Sequence, residues 1–201
     1  MKEAKLYRII RPFLKLFSKI CFRPKFIGLD NLPKEGSFIL AGNHTNILDP
    51  VVLTSITNRT IHFLAKDELT KGFKKIIFNN MGIIPVNRKI HDSNALKNAV
   101  NALNMGEIIC VFPEGTINRT NDVIIPFKSG AVRMASETNS LIIPFTIKGK
   151  YKLFRKNVTF EFYKAFKVTG DTKKDNQELM NIISTNLIKE KWYGNIWYEV
   201  F

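Results

Sequence analysis

The chain has 201 residues, 45% hydrophobic and 24% charged, which is enough for one domain with its own core and excludes a disordered or fibrous chain. Two cysteines, Cys21 and Cys110, exclude a disulfide framework and suit a reducing cytoplasm; three histidines with no zinc-ligand spacing leave no metal or other cofactor expected. The outlying number is the net charge of +14.

Half of that excess lies in residues 1–25, where eight basic side chains stand against Glu3 alone. At about 100° per residue, Leu6, Ile9, Ile10, Phe13, Leu16, Phe17, Ile20 and Cys21 share one face of a helix. Lys5, Arg8, Arg11, Lys15 and Lys19 gather on the other. A basic amphipathic helix with aromatics on its apolar side suits a membrane surface of anionic phospholipids. Its apolar runs are too short to span a bilayer, and cations interrupt them where a signal peptide would be continuous. Pro12 kinks a helix or starts one, so the regular part is expected from about 12 to 22. The alternative is a terminal helix whose apolar face packs on its own domain. Nucleic acid is not expected as a partner, since no RNP-like strand, zinc-finger spacing or basic heptad accompanies the charge.

Beyond this segment (residues 1–26), apolar runs alternate with amphipathic ones through a single catalytic domain, 27–201. Strands are predicted at Ser37–Gly42, Ile61–Ala65, Gly82–Val86, Glu107–Phe112 and Leu141–Ile147. Val158–Phe162 and Ala165–Val168 suggest a later hairpin. Helices are predicted at about 49–57, 67–80, 93–104, 129–138 and 176–191. Ile108-Ile109-Cys110-Val111-Phe112 is apolar throughout, as in a strand covered on both faces. The fold class is α/β, a single mixed, largely parallel sheet flanked by helices.

Polar residues follow each strand: Asn43, His44 and Asp49 after the first, Lys66 after the second, Arg88 after the third, and Glu114-Gly115-Thr116 after the fourth. Open α/β sheets bind ligands at the carboxyl ends of their strands, so these exits are expected to converge on one polar cleft. Asp49-Pro50 reads as a helix start with Asp as the cap. From there the carboxylate can hold one imidazole nitrogen of His44 and leave the other to take a proton from a hydroxyl. Ser129 has no G-x-S-x-G context and Cys110 lies mid-strand, so no enzyme nucleophile is expected and the substrate's own hydroxyl attacks. Lys66, Arg88 and Lys128 are candidates for an anionic group, with Gly115-Thr116 adding backbone N–H donors and Glu114 orienting a cation or a hydroxyl.

Asn43-His44-x-x-x-x-Asp49 together with Phe112-Pro113-Glu114-Gly115-Thr116 resembles the 1-acyl-sn-glycerol-3-phosphate acyltransferases, a family of glycerolipid acyltransferases. Gly82–Arg88, Phe63–Leu69, Phe127–Ala131 and Ile143–Thr146 are similar to further blocks of that family, in the expected order. The resemblance implies acyl transfer to the 2-hydroxyl of a lysophosphatidate from an acyl carrier protein or coenzyme A thioester as cosubstrate, in phospholipid biosynthesis. It implies His44 as general base, Asp49 as its orienting partner, and Lys66, Arg88, Glu114, Gly115 and Thr116 around the glycerol phosphate. It also implies a peripheral or monotopic place on the cytoplasmic face of the cell membrane. Two positions depart from the family pattern. Ile117 stands where the family carries Arg, with Arg119 or Lys128 as substitutes, and Asn46 stands where Ser is frequent. Alternatives are a related enzyme taking another lysolipid or glycerol 3-phosphate, or a non-catalytic lipid-binding protein.

Overall fold

The computed structural model describes residues 4–70, 74–87, 90 and 92–196. The elements run α1 (Lys5–Cys21), β1 (Lys25–Ile27), β2 (Phe38–Gly42), α2 (Asp49–Leu53), β3 (Ile61–Lys66), α3 (Lys74–Asn80) and β4 (Ile84–Val86). They continue with α4 (Ser93–Asn104), β5 (Ile108–Val111), α5 (Gly130–Thr138), β6 (Leu141–Gly149), β7 (Val158–Phe162) and α6 (Thr172–Ile196). The strands form one seven-stranded sheet in the order β1-β7-β6-β2-β5-β3-β4. Every neighbouring pair is parallel except β6 with β7.

Successive side chains on a strand point to opposite faces, and here both faces are covered. Ile39, Ala41, Ile109 and Val111 pack against the small residues of α4 and α5 (Ala95, Ala99, Ala102, Ala131, Ala135) and against Leu179 and Ile183 of α6. Phe38, Leu40, Ile108 and Cys110 pack the other way, toward Val52 and Leu53 of α2, Tyr7 of α1 and Ala4 just before it. The alanines let helix backbones approach the sheet closely, and the branched and aromatic residues fill the opposite layer.

Two sequence expectations are corrected. The helix does not begin at Pro12 but runs from Lys5 through it to Cys21. Tyr7 and Ser18, on either side of the proline, are both buried against the domain, and Arg11 donates to the Thr57 carbonyl at 2.9 Å and to Asn58 Oδ1 at 2.7 Å. That packing spans the hydrogen bond proline cannot donate. Val158–Phe162 and Ala165–Val168 do not form a hairpin with each other. β7 lies antiparallel on β6, and the chain continues along the same edge, with Tyr163 N–H on the Pro144 carbonyl and a bridge between Phe166 and Ile142. A nine-residue β6 has more backbone to satisfy than five residues of β7 can cover, and the following segment supplies the rest.

The anchored side of α1 carries Tyr7, Arg11 and Ser18, and this turns the apolar face outward rather than onto the domain. Ile9, Phe13, Leu16, Phe17 and Ile20 are all exposed, Phe13 by 69%. Among the described residues no helix is long and apolar enough to cross a membrane.

Candidate active site

β2 and β5 are in parallel register, Ala41 beside Val111, so their carboxyl ends release His44 and Glu114 side by side although 70 residues separate them. Gly42, the last residue of β2, leaves room for a neighbouring ring. A Cβ there would lie 2.5–2.6 Å from the Phe145 ring, which occupies the space and meets Phe112 edge-on at 6.1 Å. Phe112 in turn stacks on the His44 imidazole, with centroids 4.0 Å apart and planes 13° from parallel. Asn43 locks the loop from beneath, exchanging two hydrogen bonds with the Ile147 backbone at 3.0 and 2.7 Å.

Asp49 is fully buried, and its Oδ2 lies 2.8 Å from His44 Nδ1. It sits in the first turn of α2 but does not cap it. The carboxylate turns back instead to accept the N–H groups of Thr45 (2.7 Å) and Asn46 (2.8 Å). Asn46 Oδ1 accepts the Leu48 N–H at 3.1 Å, tightening the same turn. The second oxygen, Oδ1, accepts the Tyr151 hydroxyl at 2.7 Å, a partner no motif pointed to because it arrives from the far end of β6. Burial, first, and the neighbouring carboxylate push the Tyr151 phenol far up, so it remains a donor. Nδ1 is thus committed to Asp49, and Nε2 is left for the cleft onto which the ring opens, its side chain 15% exposed.

Glu114 is placed differently from expectation. Its carboxylate is buried, with Oε1 accepting the His44 N–H at 2.9 Å and Oε2 the Ile125 N–H at 3.1 Å. Burial raises its carboxyl above the usual range, against the lowering by those two donors. Both oxygens are spent on backbone, which makes Glu114 a brace for the histidine loop. The Gly115 N–H is likewise spent, on the Phe112 carbonyl at 2.9 Å.

The cleft has a volume of about 620 Å³ and brings together His44, Lys66, Gly115 and Lys128, with Arg133 as a cation the motifs had not marked. Lys128 lies across Gly115, its Nζ 3.3 Å from where a Cβ would stand. Lys66 pairs with Glu68. Thr116 and Arg119 are exposed and lie outside the lining, and Arg88 lies outside the described residues. Away from this polar mouth the walls are apolar, including Val51, Phe63, Phe78, Met81, Leu96 and Met134. Ser129 also lines the cleft, but no hydrogen bond joins it to His44 among the described residues, and burial pushes the Cys110 thiol well up inside β5. The buried His62 is held between Glu107 and the Gly82 carbonyl near the amino end of β3, away from this chemistry. No cluster of His, Cys, Asp and Glu able to hold a metal occurs among the described residues.

Residues 23–148 match the model of a family described as Acyltransferase. The chain is 31% identical over 214 residues to a probable 1-acyl-sn-glycerol-3-phosphate acyltransferase of Mycoplasma genitalium, covering 97% of this chain and 74% of that protein. It is 35% identical over 136 residues to the 1-acyl-sn-glycerol-3-phosphate acyltransferase of Borreliella burgdorferi, covering 66% of this chain and 54% of the relative. The chain thus spans little more than half the length of that relative. The crystal structure of the 1-acyl-sn-glycerophosphate (LPA) acyltransferase PlsC from Thermotoga maritima superposes with a TM-score of 0.71 at 21% identity, over 95% of this chain and 84% of that one. At that identity the likeness shows the fold.

Proposed function

The chain belongs to the Acyltransferase family, and from that premise we propose that it transfers an acyl chain from a thioester to the 2-hydroxyl of 1-acylglycerol 3-phosphate. The observation that carries the reading is a histidine held on Nδ1 by a buried aspartate, opening with its other nitrogen onto an apolar cleft of chain-like capacity. In the step itself, His44 Nε2 takes the proton of the acceptor hydroxyl as its oxygen bonds to the thioester carbonyl carbon. The carbon–sulfur bond breaks, and the departing sulfur takes the proton back from the imidazolium, leaving an ester and a free thiol. Asp49 holds the ring and balances its transient charge, and Tyr151, Thr45 and Asn46 hold Asp49. The apolar walls receive an acyl chain. Lys66 and Lys128, with Arg88, neutralise the acceptor's phosphate.

Acyl carrier protein and coenzyme A are both acidic donors, and a chain of charge +14 suits either. The exposed apolar face of α1, flanked by Lys5, Arg8, Lys15 and Lys19, lies on anionic lipid at the cytoplasmic face, where the lysolipid resides. One observation favours a second acceptor class. Ile117 replaces the family arginine and Arg119 is outside the cleft, which suits a lysolipid with another head group.

The test is thiol release from an acyl thioester by the purified protein on vesicles, with and without lysophosphatidate. Release should require the acceptor and fall by roughly 10²–10⁴-fold in His44→Ala. A burst of thiol without acceptor would refute direct transfer, and acceptor-dependent release surviving in the variant would refute His44 as base.

A further inference from the structure

A second exposed apolar feature lies outside the cleft and outside α1. Between β6 and β7 the chain runs Lys150, Tyr151, Lys152, Leu153, Phe154, Arg155, Lys156, and no acidic residue occurs from 148 to 160. Leu153 and Phe154 form the tip and are 62% and 60% exposed. Two large adjacent apolar side chains held in water are costly, and their position is not left to chance. Phe154 adopts φ 59°, a left-handed conformation uncommon for a bulky residue, and its N–H donates to the Cys21 carbonyl at the end of α1. Beneath the tip the Tyr151 ring meets Phe22 edge-on at 5.3 Å, and Phe22 meets Phe17 of the outward face of α1 at 5.6 Å. The loop is therefore pinned to the helix whose apolar side already faces outward, and the two present one surface.

We propose that residues 150–156 form a second lipid-contacting element, seated with α1 on an anionic bilayer. Leu153 and Phe154 enter the boundary between headgroups and acyl chains. Lys150, Lys152, Arg155 and Lys156, all exposed, lie at headgroup level around them. The assignment rests on the reading of α1 as a helix that lies on a membrane, and it adds to that reading a contact from a segment more than a hundred residues further along the chain. It also brings the bilayer within one loop of the catalytic pair, because Tyr151 of this segment donates to Asp49.

The experiment uses the intact chain carrying Phe154→Trp, with Phe13→Trp as the α1 reporter and the unsubstituted protein as background. Fluorescence is read on vesicles of phosphatidylcholine with phosphatidylglycerol, and on phosphatidylcholine alone. Both reporters should shift to the blue and be quenched by brominated acyl chains on the anionic vesicles. Leu153→Ser with Phe154→Ser should weaken vesicle partitioning by about tenfold or more, at an unchanged melting temperature. A shift at Phe13→Trp with none at Phe154→Trp would overturn the loop assignment and leave the α1 reading standing. Silence from both would overturn both, and equal shifts on phosphatidylcholine alone would overturn the anionic preference.

Discussion

Glu114→Gln separates two roles for the same side chain, a group that touches the acceptor or a brace for the histidine loop. In the structure both carboxylate oxygens face backbone N–H donors, of His44 at 2.9 Å and Ile125 at 3.1 Å. A glutamine has one acceptor and one NH2, so either orientation sets a donor against a donor. The loss of one charge-assisted hydrogen bond and the orphaning of a buried N–H together cost about 2–4 kcal/mol. At this chain length that is roughly 4–16 °C in Tm, read by thermal melting. A displaced His44 should lower kcat by about 10–10²-fold. Steady-state thiol release against acceptor concentration should therefore show kcat falling with KM for lysophosphatidate little changed. Glu114→Asp keeps two acceptors on a shorter stem and should lie between the glutamine variant and wild type. A raised KM with kcat and Tm intact would refute the bracing role and return Glu114 to the acceptor.

Two other outcomes are expected. Tyr151→Phe removes one of the donors that hold Asp49 and touches no substrate, so kcat should fall by about 3–10-fold with KM unchanged; an unaltered kcat would count against it as a positioning residue. Asp175 is buried, which raises its carboxyl, but the N–H and hydroxyl of Thr169 and the N–H of Gly170 outweigh burial and hold it low. A depressed acid stabilises the fold above its unfolded value and loses that contribution as pH falls through its folded one. Asp175→Asn should therefore melt lower than wild type at pH 7, with the gap closing below about pH 4 in melts run down the pH scale.

The strands that carry the site were legible because they are buried on both faces and end in polar loops, a pattern that burial itself imposes. His44 and Asp49 were legible for a local reason, since five residues of turn are enough to bring them together. Glu114 was visible as a motif, but its role was not, because a motif does not show which way a carboxylate turns. Tyr151 was invisible: its bond to Asp49 spans 102 residues and depends on where β6 ends. β1 is three residues long with no period to read, and it exists because β7 offers it an edge. The expected helix start at Pro12 was wrong because local chemistry favours a break there and tertiary packing of Tyr7, Arg11 and Ser18 overrides it.

The strand order also sets the order of assembly. β2 is the middle strand, with Phe38 facing Ile108 on one side and Leu141 on the other. Nothing near it in the chain can complete the sheet, so folding waits on loop closures over long stretches of sequence. While the chain is being made, α1 emerges before β2, and β2 has both edges open until β5 and then β6 arrive. In that interval the nascent chain carries an amphipathic helix able to lie on a surface and an apolar strand able to pair with a stranger. On the proposed reading of α1, early capture by a bilayer would keep such half-made sheets apart, and β2 is closed on its second side only when β6 returns to it, about half a chain later.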